Sequence, residues 1–301
     1  MSRTHSCEPA MTDEDVVWFC RNGYWILEAA VPDAINRRAL DYLASNTKGE
    51  PTEILREDWF VDGVILNPAA AGAVRSLLGD GFALPTLMAN HRGRGPAKPQ
   101  DWHRDSGSRH GPELNYLQVF YYPQDVPPEM GPTELLPGSH FLYQREKHMA
   151  HYGAIKGGVL TSGPAGSIFI TAYNIWHRRA ARTAPAAAGV RHLLKYNYWR
   201  TADPQRDWIV NPEFDVASAD FVVDGLRFAD GVRDCVDAAE MYFWLCGKID
   251  EFHYLGGQSW PADILLTKPE PGTDERARYR RRYGVPGDIT DRRERPPGRV
   301  R

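Results

Sequence analysis

Apolar residues recur at helical spacing in three segments near the start of the chain. Residues 13–19 open with three acidic side chains, a composition that favours the positively polarised end of a helix. Residues 34–45 place Ile35, Leu40 and Leu43 near helical spacing, and a further helix is expected around residues 69–78, ending at Gly79. Residues 23–27 begin with a glycine, which indicates a turn, and the apolar residues after it predict a short strand. The N-terminal part of the chain is therefore expected to be mainly helical.

The pattern changes between about residue 84 and residue 200. Short apolar or aromatic runs alternate there with glycine and proline, and residues 115–122 and 191–199 are rich in the Tyr, Phe and Val side chains that strands favour. Long helices do not alternate with these runs, so a parallel βαβ sheet is not expected. The pattern predicts an antiparallel sandwich or barrel with flanking helices.

These patterns predict one large domain with an extension at each end. Residues 1–12 are interpreted as a flexible leader, and residues 13–227 as one β-rich domain that includes the first helices. Residues 228–273 regain helical character and are expected to pack on the core as a helical extension. Residues 274–301 carry ten arginines against five acidic residues. They indicate a solvated or subunit-contacting tail, or alternatively a basic arm for an anionic partner.

Composition and charge narrow the possible functions. The 301 residues are 42% hydrophobic and 25% charged, with a net charge of -3, as in ordinary globular proteins. No apolar run is long enough for a membrane span, and the near-neutral charge argues against nucleic acid as the partner. The four cysteines are scattered without a C-x-x-C pair, and no signal peptide is visible. We therefore expect reduced thiols and a cytoplasmic location.

The chemistry is expected in the segment from Gln100 to Asp105. His103 and Asp105 are two residues apart, so on a strand their side chains project from the same face. A third ligand must come from elsewhere, and His177, at the end of a glycine-started strand, is the best candidate. Two imidazoles and one carboxylate form the facial triad of non-haem Fe(II) oxygenases, which leaves coordination positions open. A His-x-Asp pair alone is a weak signal.

Two further features strengthen this interpretation. The segment from Gly131 to His140, with the sequence GPTELLPGSH, lies between the two ligand segments. Arg191 opens the strand that follows His177, where a planar guanidinium suits a buried carboxylate. Together with Gln100, three residues before His103, these motifs resemble the phytanoyl-CoA dioxygenase family of Fe(II)/2-oxoglutarate oxygenases.

The resemblance covers roughly residues 15–200 and implies a double-stranded β-helix core of the jelly-roll, cupin-like kind. It also implies Fe(II), 2-oxoglutarate as co-substrate, and O₂. The implied metal ligands are His103, Asp105 and His177. The implied contacts to 2-oxoglutarate are Arg191, Gln100 and Thr133. Because the spacing from His177 to Arg191 is longer than usual in the family, Arg182 is a competing candidate for the carboxylate anchor.

The family implies oxidation, most simply hydroxylation, of an unactivated C–H bond in a small-molecule substrate, with release of succinate and CO₂. Related halogenases replace the carboxylate ligand with Gly or Ala, and Asp105 argues against that outcome. Acyl-CoA α-hydroxylation and a catalytically silent binding module remain as alternatives. Four aromatic residues near the ligand segments are candidates for the substrate pocket, although aromatic residues on such strands are more often core. They are Trp102, Tyr121, Tyr173 and Trp176.

Overall fold

The structure is a computed structural model. It describes residues 3–105, 111–142, 149, 151–221 and 231–252. Within these ranges, no helix combines the length and the apolar character needed to cross a bilayer.

The described ranges include four α-helices before the longer strands and one after them. Their bounds are Asp13–Asn22 for α1, Asp33–Ser45 for α2, Asp58–Phe60 for α3, Pro68–Leu78 for α4 and Gly231–Leu245 for α5. Helix α1 begins with a capping box, in which the Thr12 hydroxyl accepts from the backbone of Asp15 and the Asp15 carboxylate accepts from the backbone of Thr12. Asn67 caps α4 in a similar way, and its side chain accepts from the backbone N–H of Ala70. The three helices expected from the sequence therefore form close to their expected bounds.

The strands form two antiparallel sheets. They are Thr4–His5 (β1), Tyr24–Leu27 (β2), Phe82–Ala83 (β3), Ala89–Asn90 (β4), Tyr116–Tyr122 (β5), Thr133–Leu135 (β6), Val159–Leu160 (β7), Ser167–Ala172 (β8), His177–Arg179 (β9) and Leu194–Trp199 (β10). The large sheet has the order β1-β3-β10-β5-β8-β2, and β4 also pairs with β10. The small sheet has the order β7-β6-β9.

The two faces of the large sheet have different roles. In β10, Leu194, Tyr196 and Tyr198 lie in the main hydrophobic core, which includes buried residues of all the flanking helices. The opposite face looks towards the small sheet, since the ring of Phe120 in β5 lies 6.1 Å from the ring of His177 in β9. Side chains alternate between the faces of a strand, so this second face lines the space between the sheets.

One segment links the two sheets and positions the candidate site. Gly93 pairs with Arg191 beside the large sheet, while Ala97 pairs with Arg182. Further along, His103 pairs with His177 in an isolated bridge at the edge of the small sheet. A chain that changes sheets at a corner is typical of closed β architectures.

The N-terminal segment differs from the expected flexible leader. Strand β1 pairs with β3, the N–H of Ala10 donates to the carbonyl of Gly72 at 3.1 Å, and Met11 is 1% exposed. The described residues 3–12 are therefore part of the fold. A two-residue strand carries too little periodicity to be recognised, and its pairing depends on tertiary contacts.

Helix α5 packs against α1, and the hydroxyl of Tyr242 donates to Asp13 at 3.0 Å. The described part of the expected C-terminal extension is thus helical and packed on the core. The remainder of that extension and the arginine-rich segment 274–301 lie outside the described residues.

Candidate metal centre

Three predicted ligands converge in the structure. The candidate ligand atoms of His103, Asp105 and His177 all lie within 4.8 Å of one another. The two histidines are held side by side because the backbone N–H of each donates to the carbonyl of the other at 3.0 Å. The strand pairing therefore brings distant parts of the chain to a single point.

The histidine rings are oriented with their Nε2 atoms available for a metal ion. The Nδ1 atom of His103 lies 2.9 Å from the carbonyl of Asp101, and that of His177 lies 3.0 Å from the carbonyl of Ile175. Since a carbonyl only accepts, each Nδ1 carries the hydrogen and each Nε2 keeps a lone pair. This backbone support is the usual arrangement behind a metal-bound histidine. Burial, with the neighbouring His103, lowers the pKa of His177 to about 4, so its ring is neutral at physiological pH.

Asp105 is held by two donors from the large sheet. The side-chain amide of Gln118 and the ammonium of Lys195, the latter at 2.9 Å, both donate to Oδ2. Burial alone would raise the pKa of Asp105. The positive charge that His177 carries when protonated, the charge of Lys195 and these hydrogen bonds together lower it below its usual value. The carboxylate is therefore in the ionised form that a metal ligand needs.

Two nitrogens of the buried Arg191 guanidinium are unpaired. The residue is 2% exposed, and its Nη2 donates only a long bond of 3.5 Å to the carbonyl of His91. Its Nε and Nη1 are buried and have no hydrogen-bond partner among the described residues. Buried N–H donors without an acceptor are costly, and a ligand carboxylate would supply an acceptor for the guanidinium. This arrangement fits a dicarboxylate co-substrate.

Arg182, the competing anchor, is already engaged by the protein. It is also 2% exposed, but its Nη2 donates to the carbonyl of Gly189 at 2.9 Å and its Nη1 to that of Met130 at 3.4 Å. Its side chain does not line the cavity beside the histidines. These contacts favour Arg191 over Arg182.

A cavity of about 260 Å³ joins the histidines to Arg191. Its wall includes His103, His177 and Arg191 together with the apolar side chains of Phe120 and Leu193. Arg191 precedes Lys195, which contacts Asp105, by four residues of one extended segment, so the guanidinium is set apart from the metal ligands. The two carboxylates of 2-oxoglutarate are likewise separated by methylene groups.

Gln100 and Thr133, predicted as supporting contacts, both lie in the wall of this cavity. The side-chain oxygen of Gln100 accepts from the backbone N–H of Arg179 at 3.1 Å, which fixes the orientation of its amide. Thr133 is buried on β6. Their contact with 2-oxoglutarate stays a prediction.

Three of the four aromatic residues proposed for the substrate pocket are core residues instead. Tyr121 lies in the main core, on the face of β5 opposite to Phe120, and its hydroxyl donates to Asn36 at 2.7 Å. Trp102 and Trp176 lie in a separate hydrophobic cluster and do not line the cavity. Composition alone cannot tell which face of a strand an aromatic side chain occupies.

Tyr173 differs from these three. It is half-buried, and its ring lies 4.5 Å from that of Tyr116. Burial and the nearby negative charge of Asp105 raise its pKa, which places Tyr173 in the surroundings of the metal ligands. Its contact with a substrate stays a prediction.

Sequence reasoning missed Lys195 and Gln118, which both contact Asp105. The signal for Lys195 was present in the alternation of β10. Residues 191, 193 and 195 share one face of a continuous extended segment, so an inward-facing Arg191 implies an inward-facing Lys195.

Comparisons with known proteins agree with the fold. HygX from Streptomyces hygroscopicus, solved with nickel and 2-oxoglutarate bound, is 16% identical, with a TM-score of 0.52 over 74% of this chain and 97% of that one. EctD from S. alaskensis with bound Fe is 19% identical, with a TM-score of 0.51 over 66% of this chain and 82% of that one. Both likenesses support the predicted double-stranded β-helix. No protein in a search of curated sequences matches the chain.

The family model described as phytanoyl-CoA dioxygenase (PhyH) matches residues 7–186, which is more than half of the chain. The predicted family is therefore confirmed, together with its requirement for Fe(II), 2-oxoglutarate and O₂. The chain belongs to the phytanoyl-CoA dioxygenase family and is a non-haem iron, 2-oxoglutarate-dependent oxidoreductase.

Proposed function

We propose that this protein hydroxylates an unactivated C–H bond of a small-molecule metabolite, with release of succinate and CO₂. In this proposal His103, Asp105 and His177 hold the iron, and Arg191 binds the far carboxylate of 2-oxoglutarate. When bound, the iron and 2-oxoglutarate supply the O₂-dependent oxidation chemistry. The protein supplies the ligands, the orientation and the exclusion of water.

The observation that carries the proposal is the pairing of two incomplete sites at opposite ends of one cavity. At one end, three ligand groups lie within 4.8 Å of one another, with both histidine Nδ1 atoms committed to carbonyls. At the other end, two nitrogens of Arg191 are buried without partners. A metal chelated by a dicarboxylate keto acid would satisfy both ends at once.

The other cavity residues keep the co-substrate in a single orientation. Gln118 and Lys195 hold Oδ2 of Asp105 and so fix the carboxylate relative to the two imidazoles. Phe120 and Leu193 line the cavity and would exclude water from the methylene groups of a bound dicarboxylate.

The intact triad supports hydroxylation over halogenation. Halogenases of this type lack the carboxylate, and Asp105 lies beside both histidines here. A cytoplasmic location and a small-molecule substrate, without nucleic acid, complete the proposal.

A screen for substrate-stimulated succinate release tests this function. The purified protein, supplied with Fe(II), ascorbate, 2-oxoglutarate and O₂, is offered fractions of a metabolite pool and, separately, acyl-CoA esters. We expect one small-molecule fraction to raise succinate release and to yield a product heavier by one oxygen atom. An Asp105→Ala variant is the matched control and should release no succinate. Stimulation by acyl-CoA esters alone, or equal release by the variant, would contradict the proposal.

A further inference from the structure

Lys195 lies at the metal end of the cavity and is not part of the facial triad. Its side chain contributes to the cavity wall, and its Nζ is 2.9 Å from Oδ2 of Asp105. Among the described residues, Asp105 is the only acceptor of a hydrogen bond from this ammonium. A lysine ammonium has three N–H donors, so Asp105 leaves donors for a second acceptor.

The position of Lys195 follows from the register of its strand. Backbone pairing of Arg191 with Gly93 and of Leu193 with His91 continues the ladder of β10 towards its start. Arg191, Leu193 and Lys195 are two residues apart in turn, and all three line the cavity. At an extended rise of about 3.3 Å per residue, the first and last of them are about 13 Å apart along the strand.

The order of these three side chains is cation, apolar, cation. The order of groups in 2-oxoglutarate is carboxylate, two methylenes and a keto carboxylate. Two flexible cationic side chains about 13 Å apart at their backbones can converge on the two ends of such a dianion, with the methylenes against Leu193.

In the described part of the chain, the other four cations of the cavity wall are less suited to the metal end. Arg92 is exposed. Arg178 is paired with Glu134 at 2.6 Å, and Arg179 donates to the carbonyl of Lys98 at 2.7 Å. Arg191 lies four residues before Lys195 on the same extended segment. Lys195 is therefore the cation placed beside the metal ligands.

We propose that Lys195 is a second cationic anchor for the co-substrate, which contacts its keto-acid carboxylate while it holds Asp105 in place. This inference rests on the proposed function of the same cavity. In this inference, two residues of one strand select for a dianion. Arg191 binds the far carboxylate, and Lys195 binds the near one.

Two ligands separate the roles of the two cations. 2-Oxoglutarate has both carboxylates, whereas 2-oxovalerate has the keto acid without the far carboxylate. The dissociation constant of each is measured by calorimetry on protein saturated with Ni(II), in the wild type and in the Arg191→Met and Lys195→Met variants. Lys48→Met, which removes an exposed lysine paired with Glu53, is the matched control.

We expect Lys195→Met to weaken both ligands by a similar factor of about 10 to 100, the range expected for loss of a charge-assisted hydrogen bond. Arg191→Met should weaken 2-oxoglutarate by a similar factor and leave 2-oxovalerate unchanged. Lys195→Arg, which keeps the charge, should recover part of the lost affinity for both ligands. Lys48→Met should bind both ligands as the wild type does.

Wild-type affinity for both ligands in Lys195→Met, at saturating Ni(II), would overturn the inference while the proposed function stands. A loss confined to 2-oxoglutarate would also overturn it. Failure of the wild type to bind Ni(II) or 2-oxoglutarate would overturn the proposed function and this inference together. A Lys195→Gln variant, checked for an unchanged unfolding temperature, replaces Lys195→Met if the latter does not fold.

Discussion

The guanidinium of Arg191 shows how a single residue can reveal a ligand. The protein buries this cation and leaves two of its nitrogens without hydrogen bonds, whereas the equally buried Arg182 donates to two carbonyls. Arginine and lysine are not equivalent at such a position, because only the planar fork can hold a carboxylate with two parallel bonds. The two arginines therefore offer a matched pair of substitutions.

Arg191→Lys should weaken 2-oxoglutarate binding by about tenfold or more, because one bidentate contact of roughly 1.5–3 kcal/mol is replaced by a point charge. Arg182→Lys should leave that affinity unchanged, since Arg182 does not line the cavity. Calorimetric titration of Ni(II)-loaded protein measures both. If the Arg182 variant loses affinity and the Arg191 variant does not, the anchor is misassigned.

Tyr121 shows what residue type alone cannot predict. Its neighbour Phe120 faces the cavity, and a shift of one residue along the strand carries Tyr121 into the main core. Tyr121→Phe should lower the free energy of unfolding by about 1 kcal/mol, because the amide oxygen of Asn36 loses its buried donor. The affinity for 2-oxoglutarate should not change. Calorimetry and urea unfolding measure both effects. A weaker affinity for 2-oxoglutarate without a change in stability would show that Tyr121 contacts the cavity and would contradict its assignment to the core.

At the scale of elements, the sequence predicts long elements better than short ones. The expected strand at 115–122 forms as Tyr116–Tyr122, and the expected helix after Pro32 forms as Asp33–Ser45. The expected strand at 191–199 is assigned as Leu194–Trp199, although its first residues continue the pairing. Two-residue strands such as Thr4–His5 were not predicted, because their stability comes from tertiary contacts and not from local periodicity.

The end of α1 depends on a glycine. Gly23 has a φ of 79°, and a Cβ atom there would lie 2.4 Å from Nδ1 of His140, which is fully buried. Gly23→Ala should therefore lower the free energy of unfolding by at least about 1 kcal/mol from backbone strain alone, with the clash added. Gly49→Ala is the control, since nothing lies within 4 Å of its position. Equal stability of the two variants in urea unfolding would refute this explanation.

At the scale of the whole molecule, Asp13 joins the two ends of the described chain. Its carboxylate is fully buried and accepts from Arg206 at 2.8 and 2.6 Å, from Trp208 at 2.6 Å, from the backbone of Asn211 at 2.7 Å and from Tyr242 at 3.0 Å. The first helix, the segment after β10 and helix α5 thus meet at one charge. The sequence gives no signal for this contact, because the partners are far apart along the chain.

Asp13→Ala should lower the free energy of unfolding by about 3 kcal/mol at neutral pH, because it breaks a buried ion pair and leaves several donors without an acceptor. Glu14→Ala, at the neighbouring exposed position, should change it by no more than about 0.5 kcal/mol. Urea unfolding of both variants and the wild type measures these differences.

The effect of Asp13 should also depend on pH. Burial alone would raise the pKa of Asp13, but the hydrogen bonds from Arg206, Trp208, Asn211 and Tyr242 lower it overall. A carboxyl group with a lowered folded-state pKa stabilises the protein above its unfolded pKa of about 3.9, and this contribution is lost as the pH falls through the folded value. The difference between wild type and Asp13→Ala should therefore shrink below about pH 4. A constant difference at low pH would contradict this sign.

The central claim is that His103, Asp105 and His177 together hold one iron ion. Anaerobic calorimetric titration with Fe(II) tests it most directly, in the wild type and in the His177→Ala and Asp105→Ala variants. We expect the wild type to bind a single Fe(II) ion per chain and each variant to lose that binding while it remains folded. Unchanged stoichiometry and affinity in both variants, or a wild type that takes up no Fe(II), would contradict the account.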